Sequence, residues 1–207
     1  MSKICIIDYE SGNVASVFNA FQSFNQDNQL IISNDLKDIK NSDFLILPGV
    51  GAFADCMEGL KKIDGLINEI KQQVLINKKP FLGICVGMQV LAKTGFENGE
   101  HKGLDFINGD VKPIPQLNNL KVPHMGWNNI VVSNQNSLLK NISENEHFYF
   151  ANSYYFIAKN TQNISAKVKH GVEIPAIINR NNIFGVQFHP EKSGEVGLKI
   201  LQNFLNQ

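Results

Sequence analysis

No apolar run in this chain is long enough to cross a bilayer, and Met1-Ser2-Lys3 passes directly into a short β-like run with no secretion-signal pattern. Those absences predict a cytoplasmic protein with no membrane partner. Charge of one sign is also missing. The 19 Lys plus Arg balance 19 Asp plus Glu, so there is no electrostatic footprint for nucleic acid, and any charged ligand must be held locally. Cysteine is scarce: Cys5, Cys56 and Cys85 lack metal-site spacing, and an odd count in a reducing compartment argues against a disulfide framework. Reactivity is the better use for one of them, and neither metal nor cofactor is expected. Internal repeats, low-complexity tracts and linker-like runs are absent too, so the 207 residues predict a single α/β domain over 1–207.

Alternating strand and helix patterns fill the first half. Lys3 to Asp8 is a near-continuous apolar run, as in a parallel strand covered on both faces. A loop, Tyr9-Glu10-Ser11-Gly12-Asn13, leads to a helical stripe of Val14, Val17, Phe18 and Phe21. Strands are expected at Gln29 to Ser33 and Asp43 to Leu47. The second of these enters Pro48-Gly49-Val50-Gly51, which is glycine-rich but lacks the Gly-Lys-Ser/Thr ending of a nucleotide-phosphate loop. The spacing predicts one helix from Phe53 to about Asn77, stopped by Lys78-Lys79-Pro80. Ligands of such folds bind beyond the C-terminal strand ends, where Asp8, Gly49 to Gly51 and Cys85 should gather. After Gly95 come short β-like runs, among them Gly109 to Val111, Trp127 to Val132 and His147 to Ala158. Asn181-Asn182 reads as a hairpin turn, and a closing helix starts near Ser193. The fold class expected is α/β, a doubly wound, mostly parallel sheet with an antiparallel or mixed extension.

The centre of this pattern is Phe81 to Leu91, a buried strand, a tight turn and a helix with Cys85 at the corner. Gly83 and Gly87 lie two residues to either side, the spacing of a nucleophile elbow, whose strained residue needs bare backbone around it. A thiol opening a helix faces unpaired N–H groups and the positive end of the helix dipole, which favour thiolate, the attacking form. An imidazole must take the thiol proton and a carboxylate must orient the imidazole. His189 and Glu191, one residue apart in an extended segment, should share a face. An oxyanion hole would draw one N–H from Val86 and a second from Val50 or Gly51.

These motifs resemble the class I (triad) glutamine amidotransferases. Ile7-Asp8-Tyr9 with Gly12-Asn13, Pro48 to Gly51, Gly83 to Gln89, Pro123-His124-Met125-Gly126-Trp127-Asn128 and Gly185 to Ser193 match in family order over nearly the whole chain. The narrower likeness is to glutaminase subunits of imidazole glycerol phosphate synthase in histidine biosynthesis. The resemblance implies a flavodoxin-like fold in which Cys85 attacks the glutamine amide, His189 shuttles the proton and Glu191 orients it. It also implies that Gly49, Gln89, Ser153 and Tyr154 bind substrate. Ammonia would pass to a (βα)8-barrel cyclase, with Trp127, Tyr149 and Lys192 at interface positions. Glu10 and Asn152 depart from the family pattern. Both departures suit a related subunit that feeds a sugar-modifying enzyme of surface polysaccharide synthesis, and a silent scaffold is a third reading.

Overall fold

The computed structural model describes residues 1–10, 13–24, 27–117, 120–143 and 146–207; Ser11 and Gly12 of the first loop lie outside the described residues. Its first half runs β1 (Lys3–Ile7), α1 (Val14–Gln22), β2 (Gln29–Ser33), α2 (Leu36–Asn41), β3 (Phe44–Gly49), α3 (Phe53–Lys62), α4 (Leu66–Lys71), β4 (Phe81–Cys85) and α5 (Val86–Gln89). All of β3 and β4, and β1 from Ile4 onward, are buried, so no polar alternation interrupts them. α2 is too short for periodicity to announce. It starts at an Asp35 cap, whose carboxylate accepts the Lys37 N–H at 2.7 Å.

The second half runs β5 (Thr94–Gly95), β6 (His101–Lys102), β7 (Gly109–Pro113), β8 (His124–Val132), β9 (His147–Asn152), β10 (Tyr154–Ala158), β11 (Ile164–His170), β12 (Val172–Arg180), β13 (Ile183–Val186) and α6 (Gly194–Leu205). Nine strands form one sheet in the order β2-β1-β3-β4-β13-β12-β11-β8-β9. The first five pair in parallel and the last four continue antiparallel, which is the expected mixed α/β sheet. A second sheet, β10-β7-β5-β6, is not hydrogen-bonded to the first. α6 closes one face with Ile200, Leu201 and Phe204 buried. The Phe204 ring meets Phe44 and Phe184 edge-on, at 5.6 and 6.1 Å between centroids. Burying one such side chain contributes about 1.5–3 kcal/mol.

Two expectations change. The single helix over 53–77 is instead α3, α4 and a wide π-type turn at Gln72–Ile76, with the break at Gly65, whose φ of +74 is left-handed. Apolar spacing misses this break because Leu60 and Leu66, on either side of it, are both buried. The run His147 to Ala158 also divides at Ser153, sending β9 to the large sheet and β10 to the small one.

Strand register sets up the site. β3 pairs with β4 so that Gly49 lies opposite Cys85, and β13 flanks β4 on its other side with Val186 opposite Ile84. Three parallel strands therefore end side by side, where such folds place ligands. Among the described residues no helix is long and apolar enough to cross a membrane, and no cluster of His, Cys, Asp or Glu could hold a metal ion.

Candidate active site

Cys85 adopts φ +55 and ψ −110, a conformation that costs a side-chain-bearing residue about 1–3 kcal/mol. The glycines beside it are required by contact. A Cβ on Gly83 would stand 2.4 Å from the Gly87 carbonyl oxygen, and one on Gly87 would stand 1.9 Å from the Leu47 oxygen. The chain thus turns back against β3 closely enough to leave the Cys85 side chain at the strand ends. The helix expected to follow is a single turn, α5. With only four residues it has little macrodipole to act on the sulfur.

His189 follows β13. Its N–H donates to the Tyr149 oxygen at 2.8 Å, and its own carbonyl accepts the Ser193 hydroxyl at 2.6 Å. Phe188, its neighbour, is buried against Phe148 and Phe150 at 4.2 and 5.8 Å. The His189 Nδ1 is 2.8 Å from Glu191 Oε1, and both side chains are buried. Strand alternation is not what brings them together: Pro190–Lys192 is a 3-10 turn that folds Glu191 back under the ring. Asn13, just ahead of α1, donates to the same Oε1 at 2.7 Å. Burial pushes the His189 pKa down, but hydrogen bonds to Cys85 and Glu191 outweigh it and raise the value to about 9. Burial works against the Glu191 carboxylate as well, yet its bonds to His189 and Asn13 hold it below the usual range. The arrangement is a proton-holding imidazole between a sulfur and a carboxylate.

A cavity of about 290 Å³ opens on Cys85. Gly51, Val86, Gln89, Ser153 and Tyr154 line it, and Gly49 does not. Gln89 is buried, and its Nε2 already donates to the Tyr154 oxygen (3.0 Å) and to Gln187 Oε1 (3.1 Å). Its amide oxygen is therefore the group left to face a ligand. The Val50 side chain is more than one-third exposed and lines a separate cavity with Tyr9, Glu10 and Cys56. Only its backbone can contribute on the Cys85 side. Tyr9 secures the entry to this turn, its hydroxyl donating to the Pro48 oxygen at 3.0 Å. Glu10 has φ +69, a left-handed conformation that only glycine adopts without strain. Trp127, Tyr149 and Lys192 do not line the cavity. Trp127 is 57% exposed and meets the half-buried Tyr149 edge-on at 6.0 Å, while Lys192 is exposed in the turn after Glu191.

Sequence reasoning missed Asn13, Glu97 and Gln187. Glu97 lines the cavity while its Oε2 accepts the Phe53 N–H at the start of α3, 2.8 Å away. Nothing in its surroundings in the chain marks it. Gln187 carried a usable signal, since it lies two residues before His189 in extended chain and so shares its side.

An elbow cysteine beside a buried histidine that is itself bonded to a carboxylate, at the ends of parallel strands, defines a triad amidotransferase. The model of glutamine amidotransferase class-I matches residues 5–207, and the chain belongs to that family. Its relatives narrow the class. It is 43% identical to the imidazole glycerol phosphate synthase subunit HisH of Pelagibacter ubique, over 98% of this chain and 99% of that one. It is 44% identical to the subunit of the same name from Lactococcus lactis over the whole of both, and 46% identical to that of Caldanaerobacter subterraneus over 97% and 96%. The fold matches a solved glutamine amidotransferase with TM-score 0.75 at 16% identity, covering 98% of this chain and 97% of that one.

Proposed function

We propose that this chain is the glutaminase subunit of an imidazole glycerol phosphate synthase, releasing ammonia from glutamine for histidine biosynthesis. The observation that carries the chemistry is Cys85 at a strained elbow, electrostatically coupled to a His189 that is itself bonded to Glu191. In this reading the thiol proton already rests on His189, and the Cys85 sulfur attacks the side-chain amide carbon of glutamine, forming a C–S bond. The oxyanion meets the N–H groups of Val86 and of Val50 or Gly51. The C–N bond then breaks, and His189 returns the proton to the leaving nitrogen, freeing ammonia. Water, losing a proton to His189, adds to the thioester. The C–S bond breaks, and glutamate leaves. Glu191, steadied by Asn13, keeps the imidazole oriented throughout. Gln89 and the backbone at Ser153 and Tyr154 hold the amino-acid end, and the Glu97 carboxylate suits its ammonium group.

The acceptor is a (βα)8-barrel cyclase in this proposal. Expression of the chain in a strain lacking its own glutaminase subunit is expected to restore growth without histidine. Failure to restore it, from a chain that hydrolyses glutamine with a different co-purified synthase, would replace this acceptor with the sugar-modifying one that Glu10 and Asn152 first suggested.

β8 supports a docking face beside the cavity. Its strand alternation turns His124 inward, where it stacks on Phe150 at 4.7 Å, and leaves Met125 and Trp127 exposed at 66% and 57%. Large aromatics commonly anchor such faces. Trp127→Ala is expected to weaken association with the partner by about 2 kcal/mol, or some thirtyfold in Kd, and to leave the melting temperature unchanged. Titration calorimetry and a thermal melt check both halves, and a lowered melting temperature with unaltered affinity contradicts the placement.

A further inference from the structure

Gln187 is fully buried, in a position where a primary amide is stable only if both of its ends are bonded. The run from β13 into the 3-10 turn alternates sides. Val186 and Phe188 enter the core, while Gln187 and His189 reach toward Cys85. The Gln187 Oε1 accepts Gln89 Nε2 at 3.1 Å, and its Nε2 lies 3.8 Å from Cys85 Sγ.

The orientation of both amides follows from a backbone atom that cannot flip. The Tyr154 carbonyl accepts Gln89 at 3.0 Å, so the end of Gln89 there must be nitrogen. That same nitrogen meets Gln187, so the Gln187 atom it meets must be oxygen. The remaining end of Gln187, facing the sulfur, is then an N–H donor. Asn152 donates to the Tyr154 oxygen as well, at 3.0 Å, which occupies that carbonyl's second lone pair. A continuous path therefore runs from the cavity wall to Cys85 through Tyr154, Gln89 and Gln187.

We infer that Gln187 is a positioning residue for the Cys85 sulfur, presenting to it an N–H whose direction is set by the glutamine-binding wall. A fixed donor stabilises negative charge on the atom it faces and holds that atom in one place. The inference rests on the proposed role of Cys85. It also couples two functions, because the residue that orients Gln187 is the one whose amide oxygen faces the ligand.

The test measures iodoacetamide alkylation of Cys85, followed by mass of its peptide, in the full chain. Gln187→Met keeps the length and removes donor and acceptor together. It is expected to slow alkylation about tenfold, and to lower kcat in the partner complex about tenfold with KM for glutamine within about twofold. Gln89→Met releases the Gln187 amide, so the double variant should alkylate no more slowly than Gln187→Met alone. Gln187→Asn draws the amide back from the sulfur and must also slow alkylation; it decides the matter if Gln187→Met does not fold. Wild-type alkylation in a folded Gln187 variant, additive effects in the double variant, or a change in KM alone overturns the inference. Retained activity in Cys85→Ser would instead remove the reading beneath it.

Discussion

Replacing Cys85 by serine is expected to lower glutamine hydrolysis at least a thousandfold, while replacing it by glycine yields an equally inactive but more stable protein. Activity is lost because a serine hydroxyl holds its proton far more tightly than a thiol and His189 alone does not draw it off. A glutamine-analogue diazo-ketone should label Cys85 and neither of the other thiols. Cys5 and Cys56 are buried in the core, and burial pushes both of their pKa values up to about 12. The stability gain has a separate cause. At φ +55 the Cβ of Cys85 is strained, and glycine has no Cβ. Relief of about 1 kcal/mol raises the melting temperature by some 2–4 °C in a chain of this size. Label on Cys56, or a glycine variant that melts below the serine one, would count against the assignment or against the stored strain respectively.

His189→Ala is expected to lower the chemical step by more than a thousandfold, and Glu191→Gln by one to two powers of ten less, since the imidazole remains in place. Stability offers an independent readout of the same pair. Above its ordinary 6.5, the folded chain holds a proton on His189 up to about 9 that the unfolded chain releases. The contribution is therefore complete below pH 6.5 and is lost as pH rises through 9. Glu191 has the opposite sign. Its pKa is lowered from 4.5, so its contribution is present above that value and is lost as pH falls through the folded-state pKa. In Glu191→Gln the imidazole loses its anionic partner, and the fall in melting temperature between pH 6.5 and 9 should shrink. An unchanged slope in that window would mean that the carboxylate does not hold the His189 proton.

The sequence alone determined the class of fold, the corner cysteine and the His189–Glu191 pair. Each rests on a local rule. Buried parallel strands read as unbroken apolar runs, an elbow needs glycines at fixed offsets, and His189 and Glu191 are close in sequence, although a 3-10 turn and not the expected alternation makes their contact. The sequence also placed Gly49 to Gly51 beside the elbow, because parallel strands joined by helices end on one edge of the sheet. Tertiary structure decided the rest. Asn13 is 178 residues from the Glu191 it contacts, and Gln187 is 102 from Cys85, separations across which no spacing rule operates. The break at Gly65 stayed hidden because both segments bury the same kind of side chain, so periodicity continues through it. α5 proved to be a single turn, too short to supply the helix dipole expected at the sulfur. The residues around the sulfur follow separate strands, and the register of β3, β4 and β13 brings them to one point.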